Sequence, residues 1–272
     1  MNNIINIDPL HLGAGYLLLL LPLGLLLWLR VPILGQTLTA VLRMTLQLLF
    51  VGFYLQFIFD LNNHWLTGAW VLVMVGVADF SIIRGCRLRL RRVWLPVFVA
   101  LVLGTVVPLL YFILLILGGE KAMHAQYLIP ISGLILGNCL RADIIGLRTF
   151  YTNLKTSEKN FELTLAQGAS LYEASRPYIR EACEAALAPN LATISTVGLV
   201  SLPGVMTGVI LGGGNPMVAI KYQIAIMIAI FSGTAITVIS ALHLCIRNNF
   251  LDGGILDPEV FSVKLGNKRI KS

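Results

Sequence analysis

Charge is what this chain has least of. Only 12% of its 272 residues are charged, where soluble domains carry about a quarter, so the composition excludes an ordinary water-soluble domain. Its four cysteines, Cys86, Cys139, Cys183 and Cys245, are scattered and form no CxxC pair. That spacing predicts neither a zinc site nor a disulfide framework. No GxxxxGK[ST] phosphate loop occurs, and the run from Gly118 to Lys121 has the wrong spacing. ATP hydrolysis by that route is therefore excluded, and no cofactor is expected in this chain. HExxH and GxSxG are missing, and no carboxylate cluster is expected inside an apolar run, so the chain does not read as an enzyme. His11, His64, His124 and His243 lie apart near the ends of apolar runs, and Met206, Met217 and Met227 read as packing residues. No metal ligand set emerges. The net charge of +7 does not point to nucleic acid, because the basic residues cluster in short segments beside apolar runs, where membrane topology explains them.

Apolar residues are what remains. They make up 57% of the chain, and the mean hydropathy is +0.84. The expectation is an all-α polytopic membrane protein, one transmembrane domain over 1–272. Seven runs are long enough to cross ~30 Å of hydrocarbon: 10–29, 37–59, 65–83, 94–117, 126–148, 190–211 and 217–246. The first lacks a basic leader, carrying Asp8 instead, and reads as a true span rather than a cleaved signal. Connections with many and few basic residues alternate. Arg84, Arg87, Arg89, Arg91 and Arg92 fill one, whereas 60–64 and 212–216 contain no lysine or arginine. This alternation predicts an N-terminus outside and a C-terminus in the cytoplasm. Membrane lipids are then the surrounding partner, with the arginine-rich connection touching anionic headgroups.

Polar residues inside the runs are the candidate path. Arg43, Gln47 and Tyr54 share one helical face. An arginine at a helix centre costs roughly 2.5–3.5 kcal/mol, so Arg43 either snorkels or lines a path. Asp79 is expected near the interface, paired with an arginine of the following connection. Gly133 and Gly137 form GxxxG beside Asn138, whose amide must find a partner in the membrane. In the sixth run Pro203 removes a backbone donor, so the helix kinks or opens there. Ser201, Gly204 and Thr207 surround the break, and Gly204, Gly208 and Gly212 make a stripe of small residues. The break is either a packing kink or part of a substrate path.

The longest polar segment, 149–189, reads as a helical cytoplasmic loop. A helix over 157–167 should stop at Gly168. Ser170 with Glu173 makes a capping box for the next helix, which Pro177 is expected to cut short.

The residues at 198–208, with Lys221, Tyr222, Gln223 and Ile224, and Ile129, Pro130, Ile131, Ser132 and Gly133 followed by Gly137 and Asn138, resemble the FetB-type permease family over about 37–250. That resemblance implies a membrane subunit of an ATP-binding-cassette transporter, forming a homodimer and docking a separate cytoplasmic ATPase that binds the ATP. Bacterial members are linked to iron export and plant relatives to aluminium tolerance. The segment Gly168, Ala169, Ser170, Glu173 and Ala174 looks like the ATPase-coupling loop of such permeases, although the usual closing Leu-Pro is absent at its expected spacing. The implied cargo is iron. A different solute, such as a nucleotide sugar or organic molecule, and a non-transporting membrane scaffold are the competing readings.

Overall fold

The computed structural model describes residues 8–61, 63–118, 124–250, 254, 256, 257 and 260. Ten α-helices account for nearly all of the described residues, and no β-sheet is present among them. In order they are α1 (Pro9–Leu17), α2 (Leu20–Trp28), α3 (Leu34–Leu61), α4 (His64–Cys86), α5 (Leu90–Tyr111), α6 (Ala125–Thr156), α7 (Glu158–Ala166), α8 (Leu171–Thr196), α9 (Gly204–Leu211) and α10 (Pro216–Asn249). A π-helical turn, Phe112–Ile116, extends α5.

Six helical segments are long and apolar enough to cross a membrane, including α1 and α2 taken together. The molecule is a polytopic helical membrane protein. The expected sixth span, 190–211, is not one continuous helix: the end of α8 and the short α9 share it. The first expected span is also divided, at Leu18 and Leu19. Pro22 accounts for that break, because its ring crowds the carbonyl of Leu18 and it has no N–H to offer there.

The core lies among α4, α5, α6, α8 and α10. Its largest buried side chains include Ile82, Leu101, Phe112, Phe150 and Leu242. α6 and α10 run in the same direction, since Asp143 meets Thr237 and, further along both helices, Tyr151 meets Asn249. α8 runs back between them. Asn190 bonds Thr234, while Ala182 and Ala186 lie against Gly146.

Packing without a hydrophobic drive needs close backbone approach. α5 and α10 achieve it where Gly104 meets Gly233. A Cβ on Gly104 would stand 2.8 Å from the Gly233 carbonyl oxygen, and one on Gly233 would stand 2.5 Å from the Gly104 carbonyl oxygen. Pro108 leaves that Gly104 carbonyl without its helical donor, and the Cys139 thiol lies 3.9 Å from it.

α1, α2 and most of α3 stand away from the core. α3 is anchored by its C-terminal half, where Ile58 packs on Ala125 and Ile129 and the Tyr54 ring sits 4.1 Å from that of Trp70. Apolar helix surface of this kind needs no protein cover in lipid. At the opposite end of the core, the Arg92–Asp257 ion pair at 3.0 Å ties the C-terminal segment to the start of α5, where Asn248 Nδ2 of α10 also donates to the Arg92 carbonyl.

Two local expectations are corrected. Pro177 does not shorten its helix: α8 runs through Pro177 and Pro189 to Thr196, held by buried Ala174, Ile179, Ala182 and Ala186. Packing along this face outweighs the lost helical bonds. Asp79 is not paired at an interface: it is 5% exposed, and its Oδ1 has no partner.

Candidate functional site

The corner between α7 and α8 is built by two local devices. The α7 helix ends in a Schellman motif, with Gly168 N donating to the Leu165 carbonyl at 2.9 Å and Ala169 N to the Thr164 carbonyl at 3.3 Å. Gly168 has φ +95°, a conformation that costs a side chain with a Cβ about 1–2 kcal/mol. Two residues on, Ser170 caps α8. Its hydroxyl accepts from Glu173 N at 3.3 Å, and the Glu173 carboxylate accepts from Ser170 N at 2.8 Å and from its hydroxyl at 2.7 Å. These bonds hold the Glu173 carboxyl below the usual glutamate range.

The inner side of the corner is fixed by Phe161 and Ala174, both buried, and Phe161 packs edge-on to Tyr178. Its outer side carries exposed Leu163 and Tyr172 beside exposed Gly168, Ser170 and Glu173. An open groove of about 740 Å³ continues along α8, lined by Glu173, Arg176, Pro177, Arg180 and Glu184 among others. An exposed, rigidly capped corner with mixed charge is chemically suited to a protein partner.

The second region is the break between α8 and α9. It is a seven-residue opening, 197–203, rather than a kink at one proline. Gly198 turns the chain with φ +87°, and its N–H donates to the Ser201 carbonyl at 3.0 Å. Pro203 ends the opening as the N-cap of α9, and Thr207 returns its hydroxyl to the Pro203 carbonyl at 3.1 Å. Ser201 and Gly204 are exposed. Leu199 and Val200 are 91% and 81% exposed, so the opening projects apolar side chains outward.

The seven expected path residues are not gathered into one cluster. Arg43 and Gln47 lie exposed on the part of α3 that stands away from the core. Asn138 satisfies its amide within α6, donating to the Leu134 carbonyl at 2.8 Å. Ser201, Pro203, Gly204 and Thr207 belong to the opening and α9, which packs on α10. Gly204 and Gly208 face open space within the chain, as does Gly137, whereas Gly133 touches only the end of Met74. The glycine contact that closes the bundle is Gly104 with Gly233 instead.

Sequence reading missed a polar interior. Asp143 is fully buried in α6, and its Oδ2 accepts from Thr237 Oγ1 of α10 at 2.8 Å. Asp79 lies across the interface in α4, within electrostatic range of Asp143. Thr105, Gln223 and Asn249 are buried with an unpartnered side-chain atom each. Sequence reading placed Asp79 at an interface and did not single out Asp143. The signal was available, since an ionisable residue within an apolar run is a functional candidate by default. Among the described residues no three His, Cys, Asp or Glu side chains converge to hold a metal ion.

Comparison with known proteins places the chain in context. The family described as "Uncharacterised protein family (UPF0014)" matches residues 9–250. The chain is 33% identical to the Protein ALUMINUM SENSITIVE 3 of Arabidopsis thaliana over 232 residues, covering 84% of this chain and 82% of that protein. It is 32% identical to the "Probable iron export permease protein FetB" of Escherichia coli (strain K12) over 208 residues, covering 75% and 78%. A UPF0014 membrane protein of Synechocystis is 30% identical over 247 residues, covering 91% and 95%. No solved structure matches the chain.

Proposed function

Because the chain belongs to the UPF0014 family, we propose that it is the membrane permease subunit of an ATP-binding-cassette transporter, and that its cargo is iron, moved outward. The observation that carries the coupling half of this reading is the α7–α8 corner. Its Schellman turn and capping box fix the backbone, while Leu163, Tyr172 and Glu173 stay exposed for a partner ATPase. That ATPase binds and hydrolyses the ATP; this chain supplies the path. The iron half rests on the name of the Escherichia coli relative.

The bundle's geometry supports a reading with seven crossings. α6 and α10 are parallel, so the chain must cross back between them, and the segment that returns is α8, the 197–203 opening and α9. With the basic connections inside, the N-terminus is outside and the C-terminus in the cytoplasm of a bacterial inner membrane. The open glycines Gly204 and Gly208 suit a second copy of the chain, giving a homodimer.

The experiment is reconstitution of the chain with its ATPase in lipid vesicles. Iron(II) should stimulate ATP hydrolysis and cross the bilayer. Stimulation by an organic solute or nucleotide sugar instead of iron would replace the cargo. Failure of any ATPase to associate would leave the scaffold reading.

A further inference from the structure

Asp143 and Asp79 occupy the seam where α4, α6 and α10 meet. Asp143 is fully buried, and Asp79 is 5% exposed. Thr237 supplies Asp143 with one hydrogen bond, to Oδ2; the Oδ1 atoms of both aspartates are buried and have no partner. Among the described residues no arginine, lysine or histidine forms an ion pair with either carboxyl. An ionised carboxylate in such surroundings is so costly that the group neutralises instead. The two carboxyls also act on one another electrostatically, and a second like charge adds to that cost.

The groups around the pair do not supply the missing positive charge. Cys86 from α4, Cys139 from α6 and Cys245 from α10 are within electrostatic range of Asp143, and a thiol carries no positive charge in any state. α5 brings Gly104 and Thr105 to the neighbouring contact, and α8 brings Ala182 and Ala186, none of them titratable. Arg141 and Arg148 of α6 are exposed; Arg148 acts electrostatically on Cys86, but neither arginine forms an ion pair with Asp79 or Asp143. Among the described residues no third acidic, histidine or cysteine ligand converges with the two carboxyls to make a metal cage.

We infer that Asp79 and Asp143 form a proton-binding site inside the helix bundle, the pair together holding at least one proton at neutral pH. Binding is the simple addition of H⁺ to a carboxylate oxygen that has no donor of its own, and release returns the proton to solvent. The Thr237 hydroxyl keeps Asp143 oriented in both states. Because Thr237 belongs to α10, gain or loss of the proton acts on the contact between α6 and α10. This inference does not depend on the cargo or on the ATPase.

The test is infrared spectroscopy of the full-length protein in lipid vesicles at neutral pH, with isotope-labelled aspartate. The wild type should show the carbonyl stretch of a protonated aspartic acid, shifted by the label and by exchange into D₂O. The band should weaken in Asp143→Asn and be absent from the Asp79→Asn/Asp143→Asn double variant. Asparagine mimics the neutral acid and can still accept from Thr237, so both variants should melt close to the wild type. Absence of the band in the wild type would overturn the proposal, whatever the variants do. A band that survives the double variant would also overturn it. So would a wild-type band that appears only after dialysis against a chelator or removal of salt, because a bound cation would then fill the site.

Discussion

Gly104 of α5 and Gly233 of α10 touch backbone to backbone, each leaving no room for a Cβ on the other. The neighbouring Thr237 is part of the same contact, 2.6 Å from where a Gly104 Cβ would stand, and it is also the donor to Asp143. One close approach therefore sets both the packing of the bundle and the orientation of its buried carboxyl. Gly233→Ala should destabilise the protein by about 1–3 kcal/mol, the usual cost of overpacking. Gly208→Ala, which meets nothing within 4 Å, should leave the melting temperature of the isolated chain unchanged or slightly higher. Thermal unfolding in one detergent compares them directly; equal melting temperatures would remove Gly104–Gly233 as a structural contact.

The α7–α8 corner gives a second expectation. Gly168→Val places a β-branched residue at φ +95°, at a cost of about 1–2 kcal/mol. Membrane insertion should be normal, while ATP hydrolysis stimulated by substrate in the reconstituted complex should fall. Crosslinking from Leu163 and Tyr172 should capture the ATPase, and a thorough survey that never captures it would reassign the corner.

Glu173 should titrate abnormally. Ser170 holds its carboxyl low through hydrogen bonds to the charged form, so the folded value lies below the unfolded glutamate value of about 4.3. The sign follows: the cap's contribution is fully present above the unfolded value and is lost as pH falls through the folded one. Carboxyl titration by NMR should give a midpoint below the ordinary range in the wild type, returning to it in Ser170→Ala. A wild-type midpoint in the ordinary range would contradict the capping geometry.

The opening at 197–203 is not removed by changing its proline alone, because Gly198 also turns the chain. Pro203→Ala by itself should therefore leave α8 and α9 separate. Gly198→Ala/Pro203→Ala should favour a continuous helix, since both breakers are gone. If the opening serves transport, the double variant should assemble with its ATPase and be at least as stable as the wild type, yet export little iron. Full export by a stably assembled double variant would make the opening a packing feature.

Topology is checked by single cysteines at Asn63, Asn215 and Arg89. The first two should react with an impermeant reagent in intact cells and the third should not. Asn63 and Asn215 each cap a helix, accepting from Trp65 N and Met217 N, so each substitution should cost about 0.5–2 kcal/mol. The labelling pattern, rather than the yield, decides. Labelling at Arg89 would invert the orientation.

What the sequence determined by itself is what depends on near neighbours. Apolar runs of membrane length, the Gly168 turn and the Ser170–Glu173 box all arise from residues a few positions apart; the turn, the box and six of the seven expected runs are present in the structure. The break near Pro203 was legible for the same reason, though not its seven-residue extent. Only the tertiary structure decided which helix faces meet. Asp79 and Asp143 are 64 positions apart (143 − 79) and share a seam because α4 and α6 pack together. Gly104 and Gly233 find each other across more than 100 positions (233 − 104 = 129). Pro177, a stop signal by local rules, is carried through because α8 is packed along its length. In a chain this apolar every helix looks fit to be buried, so hydropathy cannot rank the faces. Backbone approach and the satisfaction of rare polar groups choose among them, and both are properties of pairs of helices rather than of any one stretch.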